Sequence, residues 1–178
     1  MDQRAELLFQ GKRFRVVRSS QVAADGSLHD REIVLHPGAV VLLPLVTAES
    51  VCLIRNFRLA VGETLVELPA GTLEPGEDPA QTARRELAEE TGFRAGQLEK
   101  LCEFYMSPGF LREPTHLYLA TQLQPGPTAR ESGEEIENLV VSWSEAMRLV
   151  QSGAIRDAKT LTGLLYYERF RRQAPSAR

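Results

Sequence analysis

The run from Gly71 to Phe93 constrains this chain more than any other, because it fixes a loop, a helix and a set of carboxylates at definite offsets. Asp78-Pro79 starts the helix. An Asp side chain accepts hydrogen bonds from the free N–H groups of a first turn, and Pro at the first helical position gives up no bond there. Gly92 supplies a left-handed stop. The spacing predicts a helix over 79–91, with Ala80, Ala83 and Leu87 as its buried stripe. Glu86 and Glu90 then lie one above the other, with Glu89 beside them. Carboxylates crowded on one turn repel unless a cation sits between them, and hard, oxygen-seeking Mg²⁺ or Mn²⁺ suits such a set. A bare E-x-x-E-E reads as a solvated acidic face. The glycine loop before it, with Glu77 and Arg85 at their offsets, reverses that reading.

Written as a pattern the run is G-x5-E-x7-R-E-L-x-E-E-x-G-F, and it resembles the Nudix box at every position. That family hydrolyses nucleoside diphosphates linked to another group. The resemblance implies a pyrophosphohydrolase using Mg²⁺ (or Mn²⁺), with Glu86, Glu89 and Glu90 as metal ligands and the Ala70 carbonyl reaching the same ion. It also implies structural roles for Gly71 and Gly92, and an internal ion pair between Glu77 and Arg85 that holds the ligands in place.

Composition bounds the rest. With 178 residues, 43% of them hydrophobic, the chain can bury one ordinary core. A net charge of −3 argues against a general nucleic-acid binder. Cys52 and Cys102 show no metal or disulfide spacing and read as free thiols in a reducing compartment. The first residues do not read as a signal peptide. The longest apolar run, 39–46, contains Pro44 and is too short to span a bilayer. The expectation is a cytoplasmic protein with neither a membrane nor a nucleic-acid partner.

Strands are predicted over 13–21, 31–35, 39–46 and 51–58, with Asp25-Gly26 as a hairpin turn between the first two. Further strands are expected over 98–106, 115–121 and 137–143. Two helices close the chain, 144–152 capped by Ser144 and 157–172 capped by Asp157. The fold class is α/β: an α/β/α sandwich with a mixed sheet, matching the Nudix type, plus an N-terminal antiparallel β-arm.

Outside the box, 31–40, 66–71 and Ser107-Pro108-Gly109 look like the corresponding segments of ADP-ribose pyrophosphatases, with Pro108 sixteen residues beyond Gly92. This resemblance implies ADP-ribose as substrate, and AMP and ribose 5-phosphate as products. It implies an arm over 1–36 that pairs two chains into a homodimer and lends residues to the pocket, and a catalytic domain over 37–178. GDP-mannose and other nucleotide-sugar hydrolases are the alternative, since 105–109 and 155–160 are similar to them too. A sensing module that binds without cleaving is a third reading; such relatives carry damaged boxes, and this one is intact.

Substrate contacts are expected from Arg55 or Arg58, whose guanidinium groups suit phosphate oxygens, and from Glu67, Glu113, Pro108 and Gly109. A base must take a proton from the attacking water. Glu134 falls where the family's catalytic loop glutamate lies. Glu135 competes for the role, and Glu89 could serve as both ligand and base. Phe9 and Phe14 read as core packing rather than base-stacking rings. His29, His36 and His116 read as surface or structural residues.

Overall fold

The computed structural model describes residues 5–130 and 135–172. At its centre lies β4 (Ala39–Thr47), buried continuously from Ala39 to Leu45. A strand covered on both faces needs apolar side chains at odd and even positions alike, which is why this stretch lacks alternation. Val40 and Leu42 pack with Leu73, Ala83, Leu87 and Tyr118 on one side. Val41, Leu43 and Leu45 pack with Trp143, Ala146, Ile155 and Leu164 on the other. Helix α1 (Pro79–Glu86) therefore covers one face, while α2 (Trp143–Gln151) and α3 (Ala158–Tyr167) cover the opposite face.

The sheet between them is mixed. β4 runs parallel to β10 (Pro114–Pro125) and antiparallel to β5 (Ser50–Arg58) and to the short β7 (Ala70–Thr72). β8 (Phe93–Tyr105) edges β10, while β11 (Ile136–Ser142) and β6 (Glu63–Glu67) both pair with β5. The parallel ladder runs to Ala120 opposite Pro44. Pro44 has no N–H to donate, so it suits the end of a ladder.

A second sheet has the order β1 (Glu6–Gln10), β2 (Arg15–Val22), β3 (Leu28–Leu35), β9 (Leu111–Arg112). Its first three strands are antiparallel, and the β2–β3 turn holds Gly26 at φ 82° with Ser27 N–H donating to Asp25 Oδ1 at 3.0 Å. β9 joins in parallel, Val34 opposite Leu111, and so ties the chain just beyond Ser107-Pro108-Gly109 to the N-terminal strands.

The α/β class, mixed sheet and N-terminal antiparallel strands agree with the sequence reading; several details differ. β1, β6, β7 and β9 were not anticipated. β1 is exposed at every residue and so offers no alternation to read. β8 starts five residues earlier than expected, immediately after Gly92. α2 is capped by Ser142, whose Oγ accepts from Glu145 N–H at 3.1 Å, and not by Ser144. Phe9 and Phe14 are 54% and 41% exposed, so core packing is corrected; the two rings lie against each other at 6.0 Å. Both cysteines are free, and burial pushes the Cys52 thiol up to about 12. No helix among the described residues is long and apolar enough to cross a membrane.

Candidate active site

β7, the following loop and α1 form the core of the site. Asp78 Oδ1 caps α1 by accepting from Ala80 N–H at 2.8 Å and Gln81 N–H at 3.2 Å, with Pro79 in the first turn. The helix then widens into a π-helical turn, Leu87–Thr91, before Gly92 closes it at φ 77°. Such single wide turns recur at functional sites. Gly92 is needed twice over, since a Cβ there would also fall 2.5 Å from the Gly126 carbonyl oxygen. The sequence reading of one regular helix over 79–91 is corrected by this widening.

Each box glutamate meets a different partner. Glu90 is buried, and its Oε2 accepts the Ala70 N–H at 3.0 Å. Glu86 packs onto Gly71 so closely that a Cβ on that glycine would lie 1.8 Å from Glu86 Cδ. Arg85 Nη1 stands between Glu86 Oε1 at 2.7 Å and Glu89 Oε2 at 3.0 Å. The remaining edge of Arg85 forms a two-pronged pair with Glu77, Nε to Oε1 and Nη2 to Oε2, both at 3.1 Å. Those hydrogen bonds, chiefly, hold the Glu77 carboxyl down at about 2 and raise the Arg85 guanidinium above its usual range.

Glu86, Glu89, Glu90, Ala70 and Gly71 share one wall of a cavity of about 710 Å³. Among the described residues no three carboxylate, imidazole or thiol groups stand already converged on a single point. Arg85 and the Ala70 N–H hold the glutamates in their present places. The donor set nonetheless fits a hard divalent cation. Its side-chain donors are all carboxylate oxygens, and the Gly71 cradle leaves room for Glu86 only because that residue lacks a side chain.

The same cavity receives Glu113 and Arg58, together with Lys12, Arg13, Glu74 and Lys159, to which the sequence reading gave no site role. Lys12 and Arg13 sit in the β1–β2 turn, where Gly11 N–H donates to the Phe14 carbonyl at 2.9 Å. No periodicity marks such a turn. Arg58 makes a two-pronged pair with the buried Glu67, Nε to Oε1 at 3.0 Å and Nη2 to Oε2 at 2.5 Å. Glu67 therefore lies beneath the cavity wall and acts on Arg58. Glu113 Oε1 lies 3.2 Å from His36 Nδ1.

Three expected residues stand elsewhere. Arg55 is 50% exposed and pairs with Glu137 across the β5–β11 ladder at 3.5 Å, outside the lining of this cavity. Pro108 and Gly109 line a neighbouring groove of about 570 Å³, shared with residues of β2, β3 and β9; Leu111 lines both spaces. Glu134 lies outside the described residues, and Glu135, just after them, is exposed. The chain before that segment is anchored to the wide turn: Ala129 N–H donates to the Glu89 carbonyl at 3.0 Å and Arg130 Nε to the Glu90 carbonyl at 2.9 Å. Arg130 Nη2 and the Thr91 carbonyl both meet the side-chain amide of Asn138, at 2.9 and 2.8 Å.

A brace from the far end of the chain completes the site. Thr160 Oγ1, in the first turn of α3, accepts the Leu68 N–H at 2.7 Å, and Leu68 precedes Pro69 and Ala70. Close approach of α3 is possible because Gly163 faces Leu68; a Cβ there would come within 2.6 Å of Leu68 Cδ1.

A glycine-cradled carboxylate helix against a mixed, helix-covered sheet is the arrangement of one class of hydrolase, and the NUDIX domain model matches residues 34–164; the chain belongs to the Nudix family. Among its relatives, an ADP-ribose pyrophosphatase of Bacillus subtilis is 39% identical over 165 residues, covering 92% of this chain and 89% of that protein. A GDP-mannose pyrophosphatase of Cronobacter sakazakii is 39% identical over 158 residues, covering 79% of this chain and 82% of that one. A crystal structure of an ADP compounds hydrolase superposes with a TM-score of 0.82 over 93% of this chain and 90% of that one; at 22% identity it bears on the fold alone.

Proposed function

We propose that this chain is an enzyme, a Nudix pyrophosphohydrolase of nucleotide sugars, and that ADP-ribose is its substrate, split to AMP and ribose 5-phosphate. The observation that carries this is the meeting, in one cavity, of the Glu86, Glu89 and Glu90 wall with basic residues from β5, α3 and the N-terminal turn. The first suits a metal ion and the second suits phosphate oxygens. The ADP-ribose choice draws on the 39% identity to the Bacillus subtilis protein across nearly the whole chain.

Glu86, Glu89, Glu90 and the Ala70 carbonyl would hold Mg²⁺. When bound, such an ion neutralises diphosphate charge and makes coordinated water more acidic. Within the chain, Arg85 and Glu77 orient Glu86 and Glu89, and the Ala70 N–H orients Glu90. Glu134 is our assignment for the base, with Glu135 or Glu89 as competitors; it rests on position in the sequence. We read residues 1–36 as an arm that pairs two chains into a homodimer, and the protein as cytoplasmic.

GDP-mannose is the second reading, favoured by the 39% identity to the Cronobacter sakazakii protein. Product analysis with Mg²⁺ separates the two, using ADP-ribose, GDP-mannose, ADP-glucose and diadenosine compounds at equal low concentration. A kcat/KM for ADP-ribose about tenfold above the rest, or about 1.4 kcal/mol of transition-state discrimination, supports the assignment. A flat profile or a preference for GDP-mannose overturns it while leaving the hydrolase.

A further inference from the structure

We propose that Arg130 and Asn138 are positioning residues for the metal-binding glutamates. Together they hold the backbone of the wide turn, and through it Glu89 and Glu90, in the orientation that a divalent cation requires. The proposal deepens the hydrolase reading and rests on its metal set.

A helix end leaves carbonyl groups without N–H partners of their own helix. Here the wide turn closes at Gly92 and β8 begins at Phe93, so the last carbonyls must find donors elsewhere. Leu87 and Ala88 are served from within, by Thr91 Oγ1 at 2.5 Å and Gly92 N–H at 3.0 Å. The next three carbonyls are served by a distant part of the chain. Ala129 N–H donates to Glu89 at 3.0 Å, Arg130 Nε to Glu90 at 2.9 Å, and Asn138 Nδ2 to Thr91 at 2.8 Å. Arg130 Nη2 also donates to Asn138 Oδ1 at 2.9 Å, so guanidinium and amide form one clasp.

The clasp fixes direction. A peptide unit is planar, so pinning its carbonyl pins the whole plane. The Glu89 and Glu90 carbonyls belong to the planes on either side of the Glu90 Cα. With both held, the Glu90 side chain leaves the backbone in one direction and reaches the Ala70 N–H at 3.0 Å. Glu89 is framed in the same way by the Ala88 and Glu89 carbonyls. Arg85 and the Ala70 N–H thus steer the carboxylates at their tips, while the clasp steers them at their roots. A guanidinium at the C-terminal end of a helix also meets the negative end of its dipole, and its charge strengthens the bond. Asn138 stands in β11 opposite Ile54 of β5, so the clasp hangs from the central sheet.

The test is Mn²⁺ titration, read by the paramagnetic resonance of the free ion, on wild type, Arg130→Ala, Asn138→Ala and the double variant. Each single variant should raise the Mn²⁺ Kd by about tenfold, the usual cost of losing a residue that orients metal ligands. The Mg²⁺ concentration giving half-maximal turnover of ADP-ribose should rise with it. Because the two act as a unit, the double variant should match the weaker single variant within about twofold. Asn138→Asp keeps the acceptor for Arg130 but sets a carboxylate against the Thr91 carbonyl, and should weaken Mn²⁺ binding in the same direction. Tyr166→Phe removes a hydrogen bond from α3 to the Leu101 carbonyl and controls for lost stability; its Kd should stay within about twofold of wild type. Where Arg130→Ala does not fold, Asn138→Asp decides. Folded clasp variants that bind Mn²⁺ within about twofold of wild type overturn the proposal, as does a loss that Tyr166→Phe reproduces. A wild type that binds no Mn²⁺ overturns the metal set and this proposal with it. The titration needs no substrate, so it decides the role of the clasp even where ADP-ribose is not turned over.

Discussion

The carboxylate of Glu90 accepts the backbone N–H of Ala70 at 3.0 Å, linking two residues twenty apart in sequence. The wide helical turn and β7 are therefore held together by a residue that we also assign to the metal-binding set.

That double duty separates two substitutions. Glu90→Gln keeps a carbonyl oxygen to accept the Ala70 N–H, so its melting temperature should stay near that of wild type while kcat falls by about 100-fold or more. Glu90→Ala loses the acceptor as well and should cost a further 1–3 kcal/mol or about that order of stability. Urea denaturation beside steady-state kinetics checks both.

Gly71→Ala acts through Glu86. The added Cβ would fall 1.8 Å from Glu86 Cδ, and the carboxylate must swing away. Because the clash is with a movable side chain, stability should change by less than about 1 kcal/mol, whereas activity should fall about 10- to 100-fold. A variant with full kcat/KM would show that Glu86 can leave its cradle at no cost.

Glu77 carries a pH signature. Its carboxyl is held down at about 2 in the fold, against an ordinary value of 4.5. A depressed carboxylate stabilises the fold fully above the ordinary value, and the contribution is lost as pH falls towards the folded value. Glu77→Gln should therefore melt below wild type at pH 7, and the gap between the two should close on acidification from about 4.5 towards 2. A gap that stays constant over that window would rule out the ion pair as its source.

Cys52 should resist modification. Burial pushes its thiol up to about 12, so almost no thiolate forms at pH 8. Ellman's reagent should react with Cys102, which is only partly buried, well before Cys52. Release of both thiols at one rate in the native protein would contradict this order.

Removal of divalent ions gives a last check. With chelator, turnover of ADP-ribose should vanish while the far-ultraviolet circular dichroism stays as it was, since Arg85 and the Ala70 N–H already hold the three glutamates. Loss of secondary structure along with activity would mean that the ion is part of the fold.

The carboxylate helix was legible because its signals are local. Asp78-Pro79 and Gly92 are start and stop marks, and Glu77 with Arg85 stand at fixed offsets along one short run. β4 was legible as a strand by its unbroken apolar run, although the covering of both faces is a tertiary fact. What escaped was set by long-range packing. Nothing near Lys12 or Lys159 in sequence announces a shared cavity, because they reach it from opposite ends of the chain. Arg55 or Arg58 was expected to bind phosphate because a guanidinium suits phosphate oxygens; the pairing of Arg58 with Glu67, which stands opposite Ile54 on the neighbouring strand, shows only in the folded chain. Likewise the wide turn at Leu87–Thr91 leaves no mark in a pattern of apolar and charged residues.

The bond from Leu68 to Thr160 spans 92 residues. A nascent chain emerging from the ribosome exposes the whole glycine loop and carboxylate helix long before Thr160 follows. The bond that Thr160 gives Leu68, two residues ahead of Ala70, forms only once α3 has emerged and docked, so this support of the carboxylate wall comes late in synthesis. Chains cut short ahead of α3 would display the complete box in sequence yet lack this brace on the segment that carries Ala70.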